Sequence, residues 1–243
     1  MNISLAGQHA LVTGAGRGLG RAIALALAQA GANVLAVSRT ASDLDLLAKE
    51  GGGLIQPMMA DVLDADFYAR VEGLERLDIL VNNAGGNKPM PMVDVDDETL
   101  DALLELNIRS VYKTAQAAAR KMVAQGSGVI VNMSSQMGRV GSPRRTVYCM
   151  SKHAVEGLTK AMAVELAPSG VRVVSVAPTF VMTPMTETMF ADPAFASFVL
   201  DRIPMRKLAT PEGVAAAVVF LASPAAGLIT GESLAIDGGW TAQ

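Results

Sequence analysis

Thr13-Gly14-Ala15-Gly16-Arg17-Gly18-Leu19-Gly20 is the stretch that decides the fold. It follows a short apolar run, His9 to Val12, and precedes a run of helical composition, Arg21 to Ala30, that stops at Gly31. Strand, glycine turn and helix in that order open a β-α-β unit. The turn, Gly14 through Gly18, Leu19 and Gly20, lets backbone amides approach a pyrophosphate at the positive end of the following helix. Its spacing is T-G-x3-G-x-G rather than G-x-G-x-x-G.

The same alternation continues along the chain. Strand-like runs at 33–37, 54–59, 77–81, 128–133, 171–177 and 234–236 interleave with helix-like ones. The helices are expected at 42–50, at 63–73, from Asp96 or Asp97 to about Gln125, from Thr146 to about Ala167, and from Pro211 behind a Thr210 cap. Pro57 is expected to break the third strand, and Pro178 to Pro204 to be irregular or loosely helical. The pattern predicts an α/β fold, a Rossmann-type doubly wound parallel sheet with right-handed crossovers, forming a single domain over 1–243. Ligands bind such sheets at the carboxyl ends of the strands. The glycine turn, Asn83, Ser135 and Pro178 each follow a predicted strand and are expected to meet there.

Composition narrows the function. With 51% hydrophobic and 18% charged residues over 243 positions, the chain suits a well-buried sheet and not a disordered one. A net charge of −3 gives no reason to expect a nucleic-acid partner. The one cysteine, Cys149, permits no intramolecular disulfide and reads as a small core filler. His9 and His153 lie far apart with no ligand cluster, so no metal site is expected. The N-terminal stretch has no Lys or Arg before its apolar run, and the run 22–28 is too short to span a bilayer. No membrane partner and a cytoplasmic location are therefore expected.

The chemistry lies in the second half. Tyr148 and Lys152 are four residues apart in a helix-like stretch and share one face. An ammonium there favours the phenolate and is expected to bring the tyrosine towards neutral pH as a proton donor and acceptor. Ser134 and Ser135 end the strand-like run before it, placing a hydroxyl where it can polarise a substrate oxygen. With the glycine turn, these residues point to hydride transfer between a nicotinamide cofactor and a carbonyl or alcohol. The second strand ends in Ser38-Arg39-Thr40, with no acid before Asp43. An acid there would select NAD(H); instead Arg39, Arg17 and Ser38 are placed to flank a 2′-phosphate. NADP(H) is the expected cofactor, with NAD(H) as the alternative.

The chain resembles the short-chain dehydrogenase/reductase family over essentially its full length. The resemblance is carried by T-G-A-G-R-G-L-G, Asp61-Val62, N-N-A-G at 82–85, Asn107, Ser135, Y-C-M-S-K at 148–152 and P-T-F-V-M-T at 178–183. It implies a Ser-Tyr-Lys centre, Ser135, Tyr148 and Lys152, assisted by Asn107, which holds a water linking Lys152 to solvent. Ser135 is preferred to Ser134 because it lies thirteen residues before Tyr148, the family's common spacing. The resemblance also implies that Asp61 and Val62 flank the adenine and that Asn83, Ala84 and Gly85 line the cofactor cleft. Lys152 would bond the nicotinamide ribose, and Val181 and Thr183, beyond Pro178, would hold the carboxamide. Family members usually carry glycine after that proline; Thr179 stands here, as in the family's sugar and carbonyl reductases.

Specificity is expected from Gln136, Met137, Arg139, Arg144 and Arg145 around the centre. An apolar lid of Met185, Met189, Phe190, Phe195 and Phe198 is expected beyond it. Arg145 is placed to meet a hydroxyl-rich or acidic small-molecule substrate. A sugar, polyol or small ketone fits best. A 3-oxoacyl-thioester reductase and a non-catalytic NADP-binding regulatory protein are the alternatives. The two long helices are rich in alanine and methionine and resemble those that pair between subunits in the family, which predicts a homotetramer.

Overall fold

The computed structural model describes residues 3–243, except the side chains of residues 184 and 185. Seven strands form one parallel sheet in the order β3-β2-β1-β4-β5-β6-β7. They are β1 (His9–Thr13), β2 (Asn33–Ser38), β3 (Ile55–Met59), β4 (Ile79–Asn82), β5 (Gly128–Met133), β6 (Val171–Pro178) and β7 (Ser233–Ile236). The helices are α1 (Gly18–Gln29), α2 (Ala41–Glu50), α3 (Ala65–Glu72), α4 (Asp97–Leu104), α5 (Ser110–Gln125), α6 (Thr146–Leu166), α7 (Pro184–Phe190), α8 (Pro193–Leu200) and α9 (Pro211–Ala222). The order reverses between β1 and β4, and that switch point opens a crevice at the strands' carboxyl ends.

Strand residues alternate between two cores, as the pleat requires. Val12, Val81, Val131 and Val174 face α1 and α9 through Ile23, Leu27, Val214 and Val218. Leu11, Leu80, Ile130 and Val173 face the other layer through Phe67, Val71, Ala118, Met122 and Ala163. Both faces of the central strands are covered, which is why the strands read as continuous apolar runs.

Three expectations need correction. Pro57 does not break β3: it stays in register opposite Ala36. β3 is the sheet edge, where a missing N–H leaves no inner neighbour unpaired. The stretch beyond Pro178 is more regular than the loose helix expected and contains α7 and α8. Thr183 caps α7 by accepting from Thr186 N, and Asp192 caps α8 by accepting from Ala194 N. The long helix from residue 97 is interrupted by a π-helical turn at Glu105–Arg109.

Candidate active site

The glycine turn forms one wall of the crevice, and its geometry explains its composition. Gly14 has φ +65°, and a Cβ there would lie 3.0 Å from Ala84 Cα. A Cβ on Gly20 would lie 2.3 Å from Gly14 O and 2.4 Å from Asn83 Nδ2. Asn83 ties the turn to the end of β4 by donating Nδ2–H to Thr13 O at 3.0 Å and to Gly14 O at 3.3 Å. Thr13 Oγ1 accepts from Asn83 N and Ala84 N, both at 3.0 Å. The two strand ends at the switch point are thus locked together, and the turn's backbone faces a cleft of about 600 Å³.

Arg17, Gly18, Leu19, Ser38, Arg39, Asp61, Val62, Ala84 and Gly85 also line that cleft. The two arginines stand at its rim, with side chains 80% and 78% exposed. Each is paired with an acid. Arg17 pairs with Asp43 at 3.0 Å and Arg39 with Asp61 at 3.7 Å. Exposed pairs of this kind are weak, so both cations can be drawn to a phosphate.

A second cavity of about 280 Å³ adjoins the first, sharing Leu19, Asn83, Gly85 and Thr183. Ser135, Gln136, Met137, Arg145, Tyr148 and Lys152 line it, together with Pro178 and Val181. Met185 lies outside the described side chains. Asn107 lines neither cavity. It is fully buried in the π-helical turn, and its amide clamps Gly86, accepting from Gly86 N and donating to Gly86 O, both at 2.8 Å. The extra residue of the π turn swings this side chain inward. It also donates to Ser151 Oγ at 3.2 Å, joining the loop after β4 to α6.

Tyr148 and Lys152 share a face of α6, with Nζ 5.5 Å from the phenol ring centroid. Lys152 Nζ donates to Met133 O at 2.8 Å. Burial pulls the ammonium down to about 8, against the attraction of Glu156. The phenol departs from expectation: burial pushes Tyr148 above the usual tyrosine value, and Ser135 and Arg145 are the groups that oppose it. Ser135 Oγ accepts from Met137 N at 3.1 Å and donates to Gln136 Oε1 at 2.7 Å. A substrate carbonyl polarised by this hydroxyl must take the place of Gln136.

The sequence reading missed the scaffold behind these groups. Asn82 and Asn132 are opposite each other on β4 and β5, and Asn82 Nδ2 donates to Asn132 Oδ1 at 3.0 Å. Asn132 Nδ2 donates to Thr159 Oγ1 on α6 at 3.0 Å. This buried chain fixes the helix that carries Tyr148 against the sheet. Glu156, one turn beyond Lys152, accepts from Ser175 Oγ at 3.1 Å and Ser233 Oγ at 2.9 Å. The spacing 148, 152, 156 is the sequence signal that marks it.

Other predicted specificity residues disperse. Arg139 donates to Ser233 O, away from the cavity, and Arg144 is exposed. Of the predicted lid, Met189 lines the substrate cavity. Phe190 and Phe195 instead pack on Phe180, with ring centroids 6.0 and 5.5 Å away. Phe198 lies under the Arg202 guanidinium.

The comparisons agree with this geometry. Residues 14–241 match a family model described as enoyl-(acyl carrier protein) reductase. The chain is 45% identical to L-xylulose reductase of Mus musculus over 246 residues, covering all of both chains. It is 42% identical to D-erythrulose reductase of Gallus gallus, covering 98% of each. A crystal structure of gluconate 5-dehydrogenase from Burkholderia cenocepacia J2315, in complex with NADP and tartrate, superposes with a TM-score of 0.94 at 32% identity. That alignment covers 100% of this chain and 98% of the other. No helix among the described residues is long and apolar enough to cross a membrane. A glycine turn locked to the switch point, a Tyr-Lys helix beside it and full-length identity to such reductases place the chain in the short-chain dehydrogenase/reductase family of NAD(P)-dependent oxidoreductases.

Proposed function

We propose that the protein reduces the carbonyl of a sugar-like or other small hydroxylated ketone with NADPH, and runs the reverse oxidation with NADP⁺. The observation that carries this reading is the convergence of Ser135, Tyr148 and Lys152 on one cavity that opens into the glycine-lined cleft. The cleft fits a dinucleotide. Gly14 and Gly20 let the turn pack tightly on Asn83 and Ala84, while a Cβ on Gly18, which lines the cleft, would meet nothing nearer than Thr183 Cγ2 at 4.0 Å, so backbone there can approach a pyrophosphate. Arg17, Ser38 and Arg39 would hold the 2′-phosphate, Asp61 and Val62 the adenine, and Asn83 to Gly85 the cleft wall. Val181 and Thr183 would hold the carboxamide. The gluconate 5-dehydrogenase relative contains NADP, which supports the same preference here.

When bound, the reduced dinucleotide supplies the hydride. The protein's part is to place and charge the oxygen. Ser135 releases Gln136 and donates to the substrate oxygen as negative charge grows on it. Tyr148, held protonated by burial, delivers its proton to that oxygen. Lys152, cationic below about pH 8, stabilises the phenolate left behind. Asn107 keeps Gly85 and Gly86 beside Lys152 and would hold the water that links Lys152 to solvent. A cavity of about 280 Å³ suits a small substrate better than a long acyl chain. An intact Ser-Tyr-Lys set favours an enzyme over a regulatory protein.

Tyr112 on α5 and Met150 and Val164 on α6 are exposed, which supports a homotetramer paired through those helices. The reading extends to a cytoplasmic enzyme, supported by the lone Cys149. Its test is a panel of ketoses, diketones and a 3-oxoacyl thioester with NADPH, followed by nicotinamide absorbance. The reading requires turnover of hydroxylated ketones; turnover of the thioester alone would replace it.

A further inference from the structure

Arg145 stands at the start of α6, three residues before Tyr148, and is only 8% exposed. Its guanidinium has no hydrogen bond or ion pair among the described residues; its one named contact is the face of Phe180, 5.6 Å away. A buried cation is costly unless it is paired, and a cation–π contact restores only part of that cost. The cavity that Arg145 lines contains a second cation, Lys152, and no Asp or Glu. Two further donors on that wall have no partner: Gln136 Nε2 and Thr179 Oγ1 are buried and unbonded. Burial holds Arg145 below the ordinary guanidinium value, as expected where no anion has been supplied by the protein.

We infer that Arg145 is a substrate-binding residue and that the natural substrate is a hydroxylated keto acid whose carboxylate pairs with its guanidinium. This rests on the reductase reading and narrows its substrate class. The planar guanidinium fork matches a carboxylate in two parallel bonds, and Gln136 and Thr179 line the same cavity as neutral polar residues. With Lys152 engaged by Met133 O, one unpaired guanidinium beside neutral polar groups suits a singly charged group better than a phosphate dianion. The anion and the reacting carbonyl would then be held at two separate points of one small cavity, fixing which carbon faces the hydride.

The test is binding, so it does not depend on turnover. D-Gluconate and D-glucitol differ only in a terminal carboxylate against a CH2OH group. Their affinities for the NADPH-loaded protein are measured by calorimetry, with wild type, Arg145→Gln and Arg145→Lys. Wild type is expected to bind gluconate at least about tenfold more tightly, the worth of one charge-assisted pair. Arg145→Gln is expected to remove the difference and Arg145→Lys to keep part of it. Equal affinities in wild type, a preference that survives Arg145→Gln, or tighter binding of D-glucitol 6-phosphate than of gluconate would overturn the assignment. The wild-type comparison needs no variant to fold. Failure of the reductase reading would show separately, as absent NADPH oxidation with every carbonyl tried.

Discussion

Glu156→Gln tests the electrostatics of the centre through a residue that touches no substrate. Its carboxylate is held by Ser175 and Ser233, and its charge keeps Lys152 from falling further than about 8. Glutamine preserves shape, accepting from one serine and donating to the other, while removing the charge. Residues one turn apart lie about 6 Å from each other. At an effective dielectric of about 20 a full charge at that distance is worth roughly 3 kcal/mol. One pH unit corresponds to about 1.4 kcal/mol, and allowing for screening the expected drop is about one to two units. The sign is set by which form works. Lys152 must be cationic to stabilise the Tyr148 phenolate, and burial keeps Tyr148 protonated well above neutrality. Reductive kcat/KM, which reports the free enzyme, should therefore fall as pH rises through about 8 in the wild type. In Glu156→Gln that limb should move to lower pH by about one to two units, giving a loss of roughly two- to tenfold at neutral pH that largely recovers in acid. An unmoved limb, or a loss equal at every pH, would refute the placement of Glu156 as the charge behind Lys152.

Arg39→Gln should lower kcat/KM for NADPH by about tenfold with little change for NADH, since one charge-assisted contact is lost; a wild-type preference for NADH would contradict the cofactor assignment. Ser135→Ala should reduce kcat by about a hundredfold or more, whereas Ser134→Ala, whose hydroxyl has no partner, should leave it near normal. The reverse outcome in steady-state kinetics would exchange the two serines. Asn132→Ala strands the buried groups of Asn82 and Thr159 and should cost about 2–3 kcal/mol in urea unfolding. A cost near zero would mean that this chain does not hold α6.

The sheet was legible because its central strands are apolar on both faces, and β-branched runs such as V-R-V-V-S-V have few other uses. The helices after Thr183 showed only as an irregular or loosely helical stretch; they are short, and each carries a proline, Pro184 or Pro193, at its first position behind a cap. The π-helical turn has no local signature: E-L-N-I-R contains no breaker, and its shape is set by the clamp of Asn107 on Gly86. In the site, the Tyr148–Lys152 spacing was legible because a helix fixes which side chains share a face. Glu156 was not, since a glutamate on a helix normally faces water and its partners come from β6 and β7, distant in sequence. The source of the Tyr148 shift was misjudged for a related reason. Sequence spacing indicates that a lysine is near but not how deeply the phenol is buried, and burial prevails.

The account stands on Tyr148 as the proton donor, so the most direct measurement compares wild type with Tyr148→Phe. NADPH binding is followed by nicotinamide fluorescence, and turnover of a hydroxylated ketone by nicotinamide absorbance. The account predicts similar NADPH affinity in both proteins, with turnover in the wild type and essentially none in the variant. A variant that oxidises NADPH with the ketone at the wild-type rate would contradict it.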